Sequence, residues 1–283
     1  MHVFAYGDRA TGRPSAVVGV LSVALLFSLS TGLATVVLRK PAPAAPKAAP
    51  PAAVAEPATS TRLVGLGSPP TRSAAGACPA APTLPAGDTL VLTARTPTVA
   101  VHATPGGSVE RRLPSPTRDG QPLHLRVMET RGEWHRVQMP ERPNSTTGWV
   151  RAAGMTTSRT PYRILIQRCS RRLTLFRAGR PVFVEPAAIG KSGTPTPLGD
   201  FYVDFVESWR PDSPYGPWLV SVTGFSEVYQ TFGDGVGQIG IHGTQASTSV
   251  GRPTSNGCIR LQNAAVTRLA ELVVAGTPVL IVD

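Results

Sequence analysis

Ile239-Gly240-Ile241-His242-Gly243-Thr244 and, after a short loop, Ser255-Asn256-Gly257-Cys258-Ile259-Arg260 are the most informative part of this 283-residue chain. The first run reads as a strand ending in an imidazole, the second as a turn carrying a thiol. A thiol is a weak nucleophile until it is deprotonated, and a nearby imidazole can take that proton. His242 precedes Cys258 by 16 residues. A loop of that length leaves a strand and returns with both side chains together. Gly257 lets the backbone approach a substrate closely, and the amides of Gly257 and Cys258 can donate to a developing oxyanion. In an extended segment Arg260 points to the same side as Cys258, where it can hold a carboxylate or stabilise a thiolate. An ordinary structural ion pair is the alternative for Arg260. A zinc site needs three or four ligands at short spacings. His2, His102, His124 and His135 are scattered over other segments, so no metal and no cofactor are expected.

Outward from this stretch, residues 159–283 form one unit. Segments 162–167, 172–177, 181–185, 201–206, 218–222 and 237–242 carry strand patterns, and 277–282 is a closing strand. One helix is expected near the end: Asn263 is its candidate cap, and Val266, Leu269, Ala270 and Val273 form its apolar face. Gly276 and Pro278 stop it. Upstream, residues 88–158 contain short β-type runs at 89–94, 99–102, 123–128, 134–138 and 148–151. They are separated by turn signals such as Pro105-Gly106-Gly107 and Asp119-Gly120. Several short strands at close spacing predict a small barrel. The order of Val101, Pro105-Gly106, Trp134 to Val137 and Gly148-Trp149-Val150 resembles bacterial Src-homology-3-like domains. For Trp134 and Trp149, core packing is the preferred reading over a ligand groove.

The first 87 residues have a different character. Residues 1–15 are short and polar, a cytoplasmic segment. Residues 16–38 are free of charge for 23 positions, enough at ~1.5 Å per residue to span a hydrocarbon layer. A signal peptide usually has a shorter apolar region, so an uncleaved transmembrane anchor is expected. Residues 39–87 are a Pro/Ala-rich linker, too poor in large apolar residues to build a core and extended in character. The net charge of +11 divides unevenly: residues 1–159 carry 17 basic and 8 acidic side chains, residues 160–283 carry 11 and 9. No basic helix or Arg/aromatic run suggests a nucleic-acid module, so no nucleic-acid partner is expected. Of three cysteines, Cys78 and Cys169 are either a disulfide formed outside the cytoplasm or two separate structural residues.

The 159–283 unit resembles the L,D-transpeptidase (YkuD-type) catalytic domain. The resemblance is carried by His242-Gly243, by Ser255-Asn256-Gly257-Cys258-Ile259-Arg260, by Thr194-Pro195-Thr196-Pro197-Leu198-Gly199-Asp200-Phe201 and by Gly276-Thr277-Pro278-Val279. It departs from many members at Asn256, where they carry a histidine. The resemblance implies an L,D-transpeptidase-type β-sandwich with one C-terminal helix, and with the Src-homology-3-like barrel and the N-terminal transmembrane helix read above, the expected fold is mainly β. It implies acyl transfer on peptidoglycan stem peptides, with Cys258 as nucleophile and His242 as base. Gly243 orients the imidazole, Gly257 and Cys258 form the oxyanion hole, and Ser255, Asn256 and Arg260 support the site. Tyr215, Trp218 and Thr244 are candidate substrate contacts, and for Tyr215 and Trp218 a turn and a core aromatic are the plain alternative. Carbapenem-type β-lactams are implied as covalent inhibitors, and the catalytic unit is expected outside the cytoplasmic membrane, facing the wall. Water or an envelope-protein amine as acceptor, giving an L,D-carboxypeptidase or wall-protein attachment, remains open. A sortase-like enzyme is disfavoured because Arg260 lies so close to Cys258, and a non-catalytic wall-binding module because both Cys258 and His242 are present.

Overall fold

In the computed structural model, residues 77–233 and 235–283 are described. The expected anchor at 16–38, the segment before it and most of the linker lie outside the described residues. Among those described, no helix is long and apolar enough to cross a membrane.

Seven strands make the first sheet: β1 (Thr89–Ala94), β2 (Thr98–His102), β3 (Val109–Pro114), β4 (His124–Arg131), β5 (Trp134–Gln138), β6 (Thr147–Arg151) and β7 (Met155–Thr160). They pair in the order β3-β2-β6-β5-β4-β1-β7, antiparallel throughout. Alternation along the strands turns Leu92, Val99, Val101, Leu125 and Val137 into one core, closed by Leu113 and Val150. β3 and β7 add to the sequence expectation. Leu113 is the one buried residue of β3 and Thr160 that of β7, so neither shows an apolar alternation. Their backbone ladders to β2 and β1 hold them instead. Trp134 and Trp149 are buried, and guanidinium groups cover them. Arg151 lies 4.7 Å from the Trp134 ring and Arg131 4.9 Å from the Trp149 ring.

The second part comprises β8 (Tyr162–Gln167), β9 (Arg172–Arg177), β10 (Arg180–Pro186), β11 (Ile189–Gly190), β12 (Gly199–Ser208), β13 (Trp218–Phe225), β14 (Gln238–His242), β15 (Pro253–Ser255), β16 (Ile259–Arg260), α1 (Asn263–Ala270) and β17 (Pro278–Val282). Eight of these strands form one sheet, ordered β10-β9-β8-β17-β12-β13-β14-β16, while β11 and β15 pair separately. Register shifts interrupt β12 against β13 and β13 against β14, and such irregularities bend strands. One core collects side chains from both ends of the sheet: Ile164, Ile166, Leu173 and Leu175 with Val220, Val222, Ile239 and Ile241. Val266 and Leu269 of α1 seal it. The helix is shorter than its apolar pattern, ending at Ala270, and Val273 is buried in the turn that follows.

The two sheets belong to one compact unit. Arg126 of β4 grips Asp200 of β12 through both guanidinium nitrogens at 2.6 and 2.8 Å, a bidentate geometry that suits a planar fork. The buried Tyr202 hydroxyl donates to the His124 carbonyl at 2.9 Å. Cys78 and Cys169 are joined in a disulfide. The Gly87 carbonyl accepts from Arg163 at 3.0 Å. The C-terminal end of the linker therefore lies along the second part rather than hanging free.

Candidate active site

β14 and β16 are neighbours and run parallel, with His242 opposite Arg260 and Ile241 opposite Ile259. A parallel pair cannot be closed by a tight turn and needs a crossover of about a dozen residues or more. Here that crossover runs from Gly243 to Cys258, so the thiol enters on the loop that the pairing demands. Ile259 is fully buried in the core, and alternation sends Cys258 and Arg260 to the opposite side. Both line one cleft of about 450 Å³ together with His242, Tyr215, Asn256 and Gln238.

The imidazole of His242 is 3% exposed. Its Nδ1 lies 2.6 Å from the Gly243 carbonyl. A carbonyl only accepts, so Nδ1 carries the proton and Nε2 keeps the lone pair in the neutral ring. The Tyr215 ring stands edge-on to the imidazole, with centroids 4.8 Å apart. Burial pulls the His242 pKa down to about 4; the Gly243 and Tyr215 backbones oppose this and the Arg260 charge adds to it. Burial pushes the Cys258 thiol up, against a backbone contact from Gly240 and the Arg260 charge, which draw it down. Both shifts favour the uncharged forms, a thiol at Cys258 and a neutral imidazole at His242. Arg260 lines the cleft, and among the described residues no carboxylate pairs with it.

The turn that carries Cys258 is built by buried hydroxyls. Ser255 Oγ donates to the Cys258 carbonyl at 2.5 Å and accepts from the Gly257 amide at 3.1 Å. Thr196 Oγ1 donates to the Gly257 carbonyl at 2.8 Å and accepts from the Gly190 amide at 2.9 Å. Thr194 Oγ1 donates to the Ser255 carbonyl at 3.3 Å. Gly257 adopts φ +121°, a conformation that side chains rarely tolerate. The Thr-Pro-Thr-Pro segment is thus the cradle of the turn, a role invisible in sequence because the bonds join residues 61 apart.

Several expectations shift in detail. The Gly257 amide, expected in the oxyanion hole, is engaged by Ser255 in this state. Trp218 packs against the core and does not line the cleft. Thr244 is buried outside the cleft, its amide bound to Asn263 Oδ1 at 2.8 Å. That bond corrects the role of Asn263: Gln262 is the N-cap of α1 and makes no side-chain cap bond. Asn263 instead fixes the backbone after His242. The cleft also takes Ser226, Tyr229, Phe232, Gly237 and Ile239. Ile239 belongs to β14 and Gly237 to the predicted strand 237–242, whereas Ser226, Tyr229 and Phe232 lie in a loop with no periodicity and no motif, which left sequence reasoning without a signal for them.

The L,D-transpeptidase catalytic domain family (YkuD) matches residues 161–281. Bacillus subtilis YqjB and YkuD both bear the name "Putative L,D-transpeptidase". YqjB is 33% identical over 134 residues, which cover 44% of this chain and 72% of the relative. The chain belongs to the L,D-transpeptidase family. To YkuD it is 36% identical over 121 residues, 43% of this chain, and it spans 66% of that relative's length, just under two thirds. Among solved structures, L,D-transpeptidase 3 from Mycobacterium tuberculosis with a faropenem-derived adduct is similar over 50% of this chain and 76% of that chain. The identity there is 17% and the TM-score 0.37. Within the L,D-transpeptidase match of this chain fall His242, Cys258, Arg260 and the threonine cradle, whereas β1 to β7 precede it.

Proposed function

We propose that this protein is a peptidoglycan L,D-transpeptidase that crosslinks third residues of neighbouring stem peptides. The observation that carries the reading is the placing of His242 and Cys258 on one cleft by a parallel strand pair, inside an L,D-transpeptidase-family domain. Nε2 of His242 takes the thiol proton as Cys258 Sγ attacks the carbonyl carbon of the third stem residue. The oxygen becomes an oxyanion, stabilised by the Cys258 amide and by the Arg260 charge. Collapse breaks the bond to the terminal D-alanine, whose nitrogen receives the proton from His242. A thioester remains. The amine of a second stem then attacks it, His242 takes the amine proton and returns it to the departing sulfur, and the free thiol is restored. The low basicity of His242 suits brief proton storage within each step, because a stable imidazolium is disfavoured in its buried site.

The antiparallel β1–β7 sheet, with its two covered tryptophans, supports a Src-homology-3-like module ahead of the enzyme. Residues 16–38 serve as the membrane anchor and place the catalytic domain outside, facing the wall. The Cys78–Cys169 disulfide supports an oxidising compartment. Carbapenem-type β-lactams acylate the same thiol.

The test is a reaction with a purified tetrapeptide stem fragment, followed by mass spectrometry of the products. Dimers linked through third residues, with D-alanine released, are expected. Release of D-alanine with no dimer in the presence of excess acceptor amine would replace the transpeptidase reading with an L,D-carboxypeptidase.

A further inference from the structure

One wall of the cleft is a loop rather than a strand. Ser226, Tyr229, Phe232 and Gly237 all lie between β13 and β14 and all line the cleft. Phe232 is 48% exposed and its ring leans on Tyr229, with centroids 5.7 Å apart. Among the described residues, the loop is closed at its base by the Ser226 amide, which donates to the Gly237 carbonyl at 2.8 Å. Ser226 Oγ accepts from the Val228 and Tyr229 amides, and Phe232 and Gly235 exchange two backbone bonds.

Further support comes from the first sheet. The turn between β5 and β6 carries Arg142 and Asn144 across to this loop. Arg142 Nη1 donates to the Ser226 carbonyl at 2.9 Å. Its Nη2 donates to the Tyr229 carbonyl at 2.8 Å and to the Val236 carbonyl at 3.2 Å. One guanidinium thus ties together the beginning, middle and end of the loop. Its plane also lies 5.1 Å from the Phe225 ring. Asn144 continues the clamp like an extra strand residue: Nδ2 donates to the Phe225 carbonyl and Oδ1 accepts from the Phe225 amide, both at 2.9 Å. Gly237, at φ +71°, closes the fit. A Cβ there would lie 2.2 Å from the Tyr229 carbonyl and 3.0 Å from Arg142 Nη2.

We infer that Arg142 and Asn144 are positioning residues for substrate recognition: through the Ser226–Gly237 loop they set the cleft wall that binds the stem peptide, although neither lines the cleft. The seven-stranded module is then part of the substrate site and not a spacer. Three carbonyls are reached from two separate nitrogens of one rigid fork, a spread that a lysine, whose three donors share one nitrogen, does not reproduce. The inference rests on the Cys258 reading above and deepens it.

The experiment compares full-length wild type with Arg142→Ala, Arg142→Lys and Asn144→Ala. Steady-state turnover of the tetrapeptide stem is measured beside alkylation of Cys258 by iodoacetamide, a reagent too small to need the wall. Both alanine variants are expected to raise KM for the stem roughly five- to twentyfold, with kcat within about threefold. Alkylation rates should stay within about twofold of wild type, and Arg142→Lys should behave like Arg142→Ala. Unchanged KM in both alanine variants overturns the inference. So does a parallel fall in alkylation, since the clamp would then be serving general stability. Asn144→Ala keeps the test valid where Arg142→Ala fails to fold. Absence of Cys258-dependent turnover in the wild type would instead refute the transpeptidase reading itself.

Discussion

The two large sheets among the described residues are joined up by different rules, and the candidate site follows the difference. In the first, every pairing is antiparallel, some closed by turns between consecutive strands and others, such as β1 with β7 and β2 with β6, between strands far apart in sequence, around one small core. In the second, β8 with β17 and β14 with β16 run parallel. Parallel neighbours oblige the chain to make a long excursion. One such excursion returns carrying Cys258 beside the strand that ends in His242. A reactive turn is intrinsically less well determined than a strand, and this molecule compensates with buried hydroxyls from Thr194, Thr196 and Ser255.

The contrast can be broken by mutation. His242→Ala, at the parallel pair, should slow acylation of Cys258 by about 10²- to 10⁴-fold at neutral pH. An unchanged single-turnover rate would remove His242 as the base. Thr196→Val removes one donor and one acceptor from the cradle of the turn and leaves the Gly190 amide and Gly257 carbonyl unpaired. It should reduce the acylation rate on the order of tenfold and lower stability by about 1–3 kcal/mol. Chemical denaturation and acylation kinetics on the same sample check both. Leu125→Ala, in the core of the first sheet, should do the reverse. It should cost about 2–5 kcal/mol of stability and leave the rate of the folded fraction within about twofold. A large rate loss there would mean that the core of the first sheet, and not only its Arg142–Asn144 turn, acts on the chemistry of the second.

A smaller effect concerns pH. His242 titrates at about 4 in the fold against 6.5 in the unfolded chain. Between these values the unfolded chain holds the extra proton. The contribution of this group to stability is therefore complete above pH 6.5 and is lost as pH falls from 6.5 towards 4. Denaturation midpoints of wild type and His242→Gln should diverge least near pH 4 and most near pH 7, in favour of wild type. Curves that run parallel over this range would show that His242 is not buried neutral.

The candidate site was legible in the sequence because it is local. His242, Cys258 and Arg260 sit within 19 residues, and alternation alone places Cys258 and Arg260 on one side of Ile259. Tyr215 was legible as a groove candidate, although its edge-on contact with His242 was not. What escaped depends on distance or on polarity. The threonine cradle acts across 61 residues. Asn263 looks like a helix cap, yet its carbonyl oxygen is drawn to the Thr244 amide across 19 residues. β3, with sequence Val-Glu-Arg-Arg-Leu-Pro, buries one side chain and so gives no periodic signal. The clamp of Arg142 and Asn144 on the cleft wall lies in a turn whose local pattern says only that the chain reverses there.

The central claim is that Cys258 is an acyl-accepting nucleophile, and the most direct measurement is intact mass after incubation with a carbapenem. Wild type should gain one equivalent of the drug, and Cys258→Ala, shown to be folded, should gain none. A folded wild type that forms no adduct, or a Cys258→Ala variant that forms one, would contradict the account.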